Sequence, residues 1–435
     1  MGKQVAVGII GLGTVGGGTF KVLARNRELI ASRSTNINIA KVCDLNYEHA
    51  KALVEAEGLD KAIITNDYKE LTQGNDIDIV VELIGGIHPA KEIILEALNN
   101  GKSVVTANKD LVAAHGKELF DAADANGVDI MFEPAVAGAI PIIKALKDSM
   151  KANNIKQVMG IVNGTTNYIL SEMTATGADF APCLKQAQEL GYAESDPTND
   201  VEGFDAARKM AILATIAFNS NVTFEQVYVE GITHITKHDI SYAGQLGYII
   251  KLLGIAKADE NNDNEIEVRV HPVLIKKKHP LASVDEAYNA VFVEGDAIGT
   301  SMLYGKGAGE LPTASAVVGD VIAAAENVVN DTRGISGVRI FNEKTVKPMA
   351  DVFGSYFIRM MVKDEPMVLA QIAEAFGKND VSLDSVIQNQ IENSGMSELV
   401  LITHEVKEED IQAALKKFEE MSCVDSVVSV IRVIE

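Results

Sequence analysis

The feature that most constrains this chain is a glycine string placed between two kinds of periodicity. Residues 4–12 (QVAVGIIGL) form a continuous apolar run, and the helical-looking TFKVLARNREL follows, with G-L-G-T-V-G between. A strand buried on both faces of a parallel sheet reads as an unbroken apolar run. At such a junction Gly11 permits the sharp turn, Gly13 lets backbone approach a pyrophosphate, and Gly16 allows close packing of helix on strand. The helix start adds free N–H groups and a positive dipole end. Gly11, Leu12, Gly13, Thr14, Val15 and Gly16 are therefore candidate dinucleotide contacts.

The rhythm then repeats: INIAKVCDL (37–45), DIDIVVELIG (76–85), KSVVTAN (102–108) and DIMFEPAV (129–136) read as strands separated by helical segments. Strands alternating with helices of about 10–15 residues predict a doubly wound, Rossmann-type α/β sheet over residues 1–133. After Pro141 the pattern becomes α+β, giving a second domain over 134–304. The Ala/Val-rich segment 313–330 is expected to be a helix packing back on the first sheet, so residues 305–340 rejoin the dinucleotide-binding domain. A linker near 331–354 precedes 350–435, whose strand–helix–strand–strand–helix–strand order is the ferredoxin-like βαββαβ pattern.

At 435 residues with 47% apolar and 23% charged residues, each part has material for its own core. A net charge of −22 repels phosphate backbones and anionic lipid surfaces, which argues against nucleic-acid and membrane partners. Three separated cysteines (Cys43, Cys183, Cys423) with no CxxC suggest reduced thiols and a cytoplasmic protein. The N-terminus lacks a signal-peptide layout, and no apolar run reaches membrane length.

Asp44, closing the second strand, is placed to accept hydrogen bonds from an adenosine ribose, which favours NAD over NADP. Arg25, Arg27, Arg33 and Lys41 are near in sequence, so a phosphate clamp from the 25–36 segment stays open. Gly85 of the ELIGG turn and Ala107 and Lys109 of TANK fall at the strand ends where open parallel sheets bind ligands. The segment 191–209, GYAESDPTNDVEGFDAARK, gathers Glu194, Asp196, Asp200 and Asp205 ahead of Lys209. On a helix, Asp205 and Lys209 share a face about 6 Å apart. Carboxylates there suit an amino-acid ammonium group or hold Lys209. A lysine suits the oxygen that gains negative charge when hydride adds to an aldehyde. The same pattern also fits a surface ion pair.

That segment closely resembles the signature of homoserine dehydrogenases, with the spacing of Gly191, Pro197, Asp200, Gly203, Asp205 and Lys209 kept. GLGTVGGG, TANK (106–109), NGTTNYIL (163–170) and GKGAGELPTASAVVGD (305–320) agree in order, so the resemblance spans about residues 4–340. It implies NAD(P)-dependent interconversion of L-homoserine and L-aspartate 4-semialdehyde, in the branch leading to threonine, methionine and isoleucine. It implies Lys209 as catalytic acid/base and Lys109 as a second lysine touching cofactor and substrate. Glu194 and Asp205 resemble the family's substrate-binding or orienting carboxylates, with Gly307 returning to the nicotinamide side; Asp200 of the acidic segment, and Thr165 in the NGTTN helix start whose N–H groups and hydroxyls suit a carboxylate, are further candidate substrate contacts. It also implies a structural Na⁺ held by backbone oxygens of Glu133, Val136, Gly138 and Ile140.

Residues 355–435 resemble an ACT domain, a module that commonly pairs across subunits and binds an amino acid, here implying threonine and a homodimer or homotetramer. One departure stands out. Where the turn after proline usually carries glycine, this chain has Met367, whose side chain could occlude an effector. The module is expected to serve oligomerisation, with its threonine response left open. Two rival readings are a non-catalytic amino-acid sensor, disfavoured by Lys109 and Lys209, and a thiol-dependent semialdehyde dehydrogenase, disfavoured by the placement of the cysteines. The eight histidines show no metal-ligand spacing.

Overall fold

The computed structural model describes residues 4–335 and 337–434. Residues 1–3, Ser336 and Glu435, which fall in the expected domain spans, lie outside the described residues. The chain divides into two compact units. The first comprises Met1–Val158, Arg208–Gln226 and Asn289–Lys344; the second comprises Met159–Ala207, Val227–Tyr288 and Thr345–Glu435.

The first unit is built on a six-stranded parallel sheet. Its strands are β1 (Val5–Ile10), β2 (Ile37–Cys43), β3 (Ile64–Thr65), β4 (Ile79–Glu82), β5 (Ser103–Thr106) and β6 (Ile130–Met131), in the order β3-β2-β1-β4-β5-β6. The order reverses direction between β1 and β4, and the crevice outside the carboxyl ends of strands at such a point is where doubly wound sheets bind ligands. Val5, Val7, Ile9, Ile79 and Val81 are buried, as apolar runs in a sheet covered on both faces must be. The helix Glu310–Asn330 contributes Val317, Val321, Ala324 and Val328 to the same core. Its predicted return to the first sheet is thus observed. It reaches the glycine-turn helix Thr14–Arg25, where the Lys21 ammonium donates to Glu310 at 2.7 Å. The strands Tyr288–Gly295 and Gly299–Lys306 run side by side.

In the second unit, β7 (Tyr248–Ala258) and β8 (Glu265–Lys276) form a long antiparallel pair. No sequence signal marks β7. The apolar stretch YIIKLLGIA shows no alternation, because seven successive residues of β7 are buried. The C-terminal module contains β9 (Phe353–Lys363), β10 (Leu383–Ile391), β11 (Met396–Thr403) and β12 (Val424–Ile434), with helices Val368–Gly377 and Glu408–Glu419. Its strand order is β12-β9-β11-β10, the ferredoxin-like arrangement that the sequence predicted. Tyr356, Ile358, Met360, Ile372, Leu401, Ile411 and the edge-on rings Phe376 and Phe418 fill its core. β12 also pairs in parallel with β8, Val273 opposite Arg432 and Ile275 opposite Ile434, so the module's sheet continues into the rest of the unit.

Candidate active site

The glycine turn is fastened from below by the second strand. Gly11 (φ +88°) takes the left-handed conformation that a side chain resists, and a Cβ on Gly16 would lie 1.9 Å from the Gly11 carbonyl oxygen. The Gly11 N–H donates to the Cys43 carbonyl at 2.8 Å. A Cβ on Gly13 would meet no protein atom within 4 Å. The turn is therefore closed where it packs on the fold and open where a pyrophosphate would lie, which is the fit a dinucleotide needs.

Asp44 does more here than the sequence suggested. Its Oδ2 accepts the Leu12 N–H and its Oδ1 the Asn46 N–H, both at 2.7 Å. The carboxylate that the sequence marks for an adenosine ribose thus braces the turn. His49 joins it, with Nε2 3.0 Å from the Leu12 carbonyl oxygen, a role nothing in the sequence marked. The phosphate clamp left open for residues 25–36 is not formed. The helix Arg27–Arg33 precedes β2, at the strand's opposite end from Asp44, roughly 20 Å away at strand rise. Arg25 pairs with Glu57, and Lys41 with Glu70.

The next two strand ends are shaped by a buried carboxylate that the sequence reading missed. Glu82 Oε1 accepts the N–H groups of Ile84 and Gly85, and Oε2 accepts the Thr106 hydroxyl at 2.7 Å. Thr106 Oγ1 accepts the Asn108 N–H, and Asn108 Nδ2 donates to the Gly86 carbonyl at 2.6 Å. Asn108 also caps the helix Lys109–Ala125 by accepting the Leu111 N–H at 3.1 Å. Lys109 is thus the first residue of a capped helix at the sheet's ligand edge, half-buried beside Ala107, with Gly85 (φ +75°) in the adjoining turn.

The signature segment forms a short turn, Thr198–Val201, and then the helix Phe204–Phe218, along which Asp205 and Lys209 stand one turn apart. Arg208, immediately before Lys209, is 3.1 Å from the carboxylate of Asp110, immediately after Lys109. The Arg208 guanidinium also lies 4.8 Å from the centre of the Phe224 ring. This ion pair links the starts of the two lysine-bearing helices.

Asn163 caps the helix Gly164–Thr176 and gathers the acidic segment. Its Oδ1 accepts the Thr166 N–H, while Nδ2 donates to Asp200 Oδ1 at 2.7 Å and Asp205 Oδ2 at 2.9 Å. One amide thereby draws two carboxylates together. Thr165 donates its hydroxyl to the Tyr192 carbonyl at 2.6 Å, and Glu194 lies exposed on the same segment.

In the loop proposed to hold a cation, Ala137 and Gly138 take successive left-handed conformations, with φ of +53° and +50°. The carbonyls of Glu133 and Ile140 already accept the N–H groups of Val136 and Ile142. Gly138 and Gly307 approach so closely that a Cβ on Gly138 would lie 2.5 Å from the Gly307 oxygen. The Glu133 side chain accepts the Ile143 and Lys144 N–H groups, and its own N–H donates to Asp320. Burial, then the neighbouring Glu133 charge, pushes the Asp320 carboxyl up to about 7. Among the described residues, no group of three or more His, Cys, Asp or Glu side chains could hold a metal ion. All three cysteines are buried, and burial pushes the thiols of Cys43 (to about 11) and Cys183 up, away from nucleophilic use. No described helix is long and apolar enough to cross a membrane.

A glycine turn open to a pyrophosphate, together with two lysine-bearing helices joined by an ion pair and a ferredoxin-like module, defines a nicotinamide-dependent dehydrogenase with an appended ACT domain. Residues 141–322 match the homoserine dehydrogenase family, residues 11–133 that family's NAD binding domain, and residues 356–422 the ACT domain. The chain therefore belongs to the homoserine dehydrogenase family, NAD(P)-dependent oxidoreductases that interconvert L-homoserine and L-aspartate 4-semialdehyde. It is 44% identical to a homoserine dehydrogenase from Neisseria gonorrhoeae over 99% of this chain and 98% of that one. The crystal structure of a homoserine dehydrogenase from Thiobacillus denitrificans superposes with a TM-score of 0.92 at 45% identity, covering 100% of this chain and 99% of that one. A hyperthermophilic archaeal homoserine dehydrogenase mutant in complex with NADPH is 27% identical, with a TM-score of 0.62, over 74% of this chain and 98% of that one.

Proposed function

We propose that Lys209 is the acid/base of the reaction and that Lys109 is a second ammonium beside the reacting carbonyl. The observation that carries this is the Arg208–Asp110 ion pair, which joins the residues flanking the two lysines. The nicotinamide, when bound, exchanges the hydride. Reduction of the aldehyde builds negative charge on its oxygen, and an adjacent ammonium stabilises that charge and supplies the proton; in the oxidative direction the neutral amine takes it back. Asp205 orients Lys209. Asp200 and Glu194 receive the substrate ammonium; Asn163 holds Asp200 beside Asp205, and two neighbouring carboxylates favour a cation close to them. The first-turn N–H groups at Thr165 suit the substrate carboxylate. Gly11–Gly16, Asp44, Gly85, Ala107 and Gly307 line the cofactor. Replacing Lys209 with Ala should cut turnover by about 10²–10⁴-fold with nucleotide affinity unchanged. Turnover like the parent's would remove Lys209 from the mechanism.

The division of labour follows three spans: 1–133 with 305–340 for the dinucleotide, 134–304 for substrate and dimerisation, and 350–435 for regulation or oligomerisation. With Asp44 at the ribose and no arginine of the 25–33 stretch at that end of β2, NADH should serve at least as well as NADPH. A much lower KM for NADPH at equal turnover would refute this. The backbone oxygens of Glu133, Val136, Gly138 and Ile140 would hold a structural Na⁺, which takes no part in hydride transfer. β10 is the outermost strand of the module and exposes Val386 and Ile391, which suits pairing with a second copy. Met367 projects 68% exposed at the turn where an effector such as threonine would approach. Buried, separate thiols accord with a cytoplasmic enzyme of amino-acid biosynthesis, in the branch to threonine, methionine and isoleucine.

A further inference from the structure

Lys251, in the middle of β7, has a side chain with no solvent exposure. Its ammonium meets three oxygens: the Val284 carbonyl at 2.6 Å, Asp285 Oδ1 at 3.1 Å and Asn167 Oδ1 at 3.2 Å. Three donors thus find three acceptors, and a charge that burial alone would disfavour is held in place. Burial does draw this ammonium below the usual lysine range, with Asp285 opposing.

The oxygen of Asn167 faces the ammonium, which fixes the way its amide points. Its two Nδ2 hydrogens are then shared among the carbonyls of Val284, Glu286 and Tyr288, at 3.0, 2.9 and 3.2 Å. These bonds clasp the 284–288 loop, in which Glu286 takes a left-handed φ of +56°, against the helix Gly164–Thr176. The contact is close at the first residue of that helix, where a Cβ on Gly164 would lie 2.8 Å from the Ala287 carbonyl oxygen. The preceding residue is Asn163, whose amide is shared between Asp200 and Asp205.

We propose that Lys251 is a positioning residue for the dehydrogenase reaction: as a built-in cation it locks Asn167 and the 284–288 loop on the helix start, so that Asn163 presents Asp200 and Asp205 in register for the substrate. This rests on the reading of those two aspartates as substrate-binding and orienting groups. Lys251 itself touches neither substrate nor cofactor. Its loss acts through the geometry of two carboxylates and leaves the nucleotide turn alone.

The experiment uses the full chain with Lys251→Met, which keeps length and apolar bulk, Asn163→Ala, and the double variant. Lys251→Met should lower kcat/KM for homoserine at least tenfold, mainly through KM, with the dissociation constant for NADH within twofold of the parent's. The double variant should lose no more than the worse single variant, because both changes act on one linkage. Retention of kcat/KM within twofold by folded Lys251→Met, or losses that multiply in the double variant, would overturn the proposal. A loss shared equally by NADH binding would reveal general unfolding instead and also overturn it. If Lys251→Met does not fold, Asn167→Asp takes its place: an oxygen still faces Lys251 and only the amide donors to the loop are lost, and the same rise in KM is required. Asp200→Asn and Asp205→Asn separate the two levels. If they leave the kinetics untouched, the reading of the aspartates fails; if they impair the enzyme while Lys251→Met does not, only the present inference fails.

Discussion

Met367 is the N-cap of the helix Val368–Gly377 and takes φ +75°, a conformation natural to glycine. For an L-residue that conformation costs about 1–2 kcal/mol, and glycine's greater unfolded-state freedom returns about 0.5–1 kcal/mol of any gain. With its side chain mostly in solvent, Met367 offers little packing in compensation. Met367→Gly should therefore stabilise the protein by about 0.5–1 kcal/mol, read as a higher urea midpoint with an unchanged slope; a lower midpoint would show that the side chain makes contacts of value. At this scale the sequence was legible where a residue's backbone need is unusual. Gly11, Gly16 and the departure at Met367 all announced themselves. Buried polar side chains did not. Glu82, Asn163 and Lys251 look like ordinary surface residues in one dimension, because what makes them structural is the set of oxygen partners that folding brings to them from 24 to 84 positions away.

Helices and strands set which of those residues face one another. The helices beginning at Lys109 and Phe204 are joined by Arg208 and Asp110, whose side chains are 25% and 41% exposed, so the pair itself adds under about 1 kcal/mol to stability. Its value lies in register. Arg208→Ala should leave the unfolding midpoint nearly unchanged while lowering kcat roughly tenfold, since small misplacements at a reacting centre are costly. A kcat equal to the parent's would show that the two helix starts hold their places without it. Element type was readable wherever period or punctuation was clear: the alternation through residue 133, the βαββαβ order at the end, and the helix Glu310–Asn330. β7 escaped because burial on both faces erases the two-residue period. The phosphate clamp considered for residues 25–36 failed for a related reason. Proximity in sequence to Asp44 said nothing about which end of β2 those arginines occupy.

For the whole molecule, burial of ionisable groups sets the response to pH. His271 on β8 is 1% exposed, and burial, followed by the nearby charges of Arg432 and Arg269, holds its imidazole neutral well below the usual pKa. The unfolded chain takes up a proton at this histidine near pH 6.5 and the folded chain does not. Below that pH the unfolded state binds more protons, so stability is lost as pH falls, by up to about 1.4 kcal/mol per pH unit from this site. The stability difference between the parent and His271→Asn should be constant above pH 7 and shift in favour of the variant between pH 6.5 and 5. A difference that stays flat across this window would mean that His271 is protonated in the folded state.

The shared strand β12 bears on how the terminal module can be studied. It is hydrogen-bonded to β9 on one side and to β8 on the other, and Arg432 within it holds Glu408 of the module and Glu230 outside it, at 2.8 and 2.7 Å. Excising residues 350–435 would therefore strip a neighbour from Val273–Ile275 and strand Glu230 without its counter-charge. A shortened protein that had lost inhibition would report a torn sheet as readily as a missing receptor. An effector response is therefore tested by single side-chain changes made within the intact chain.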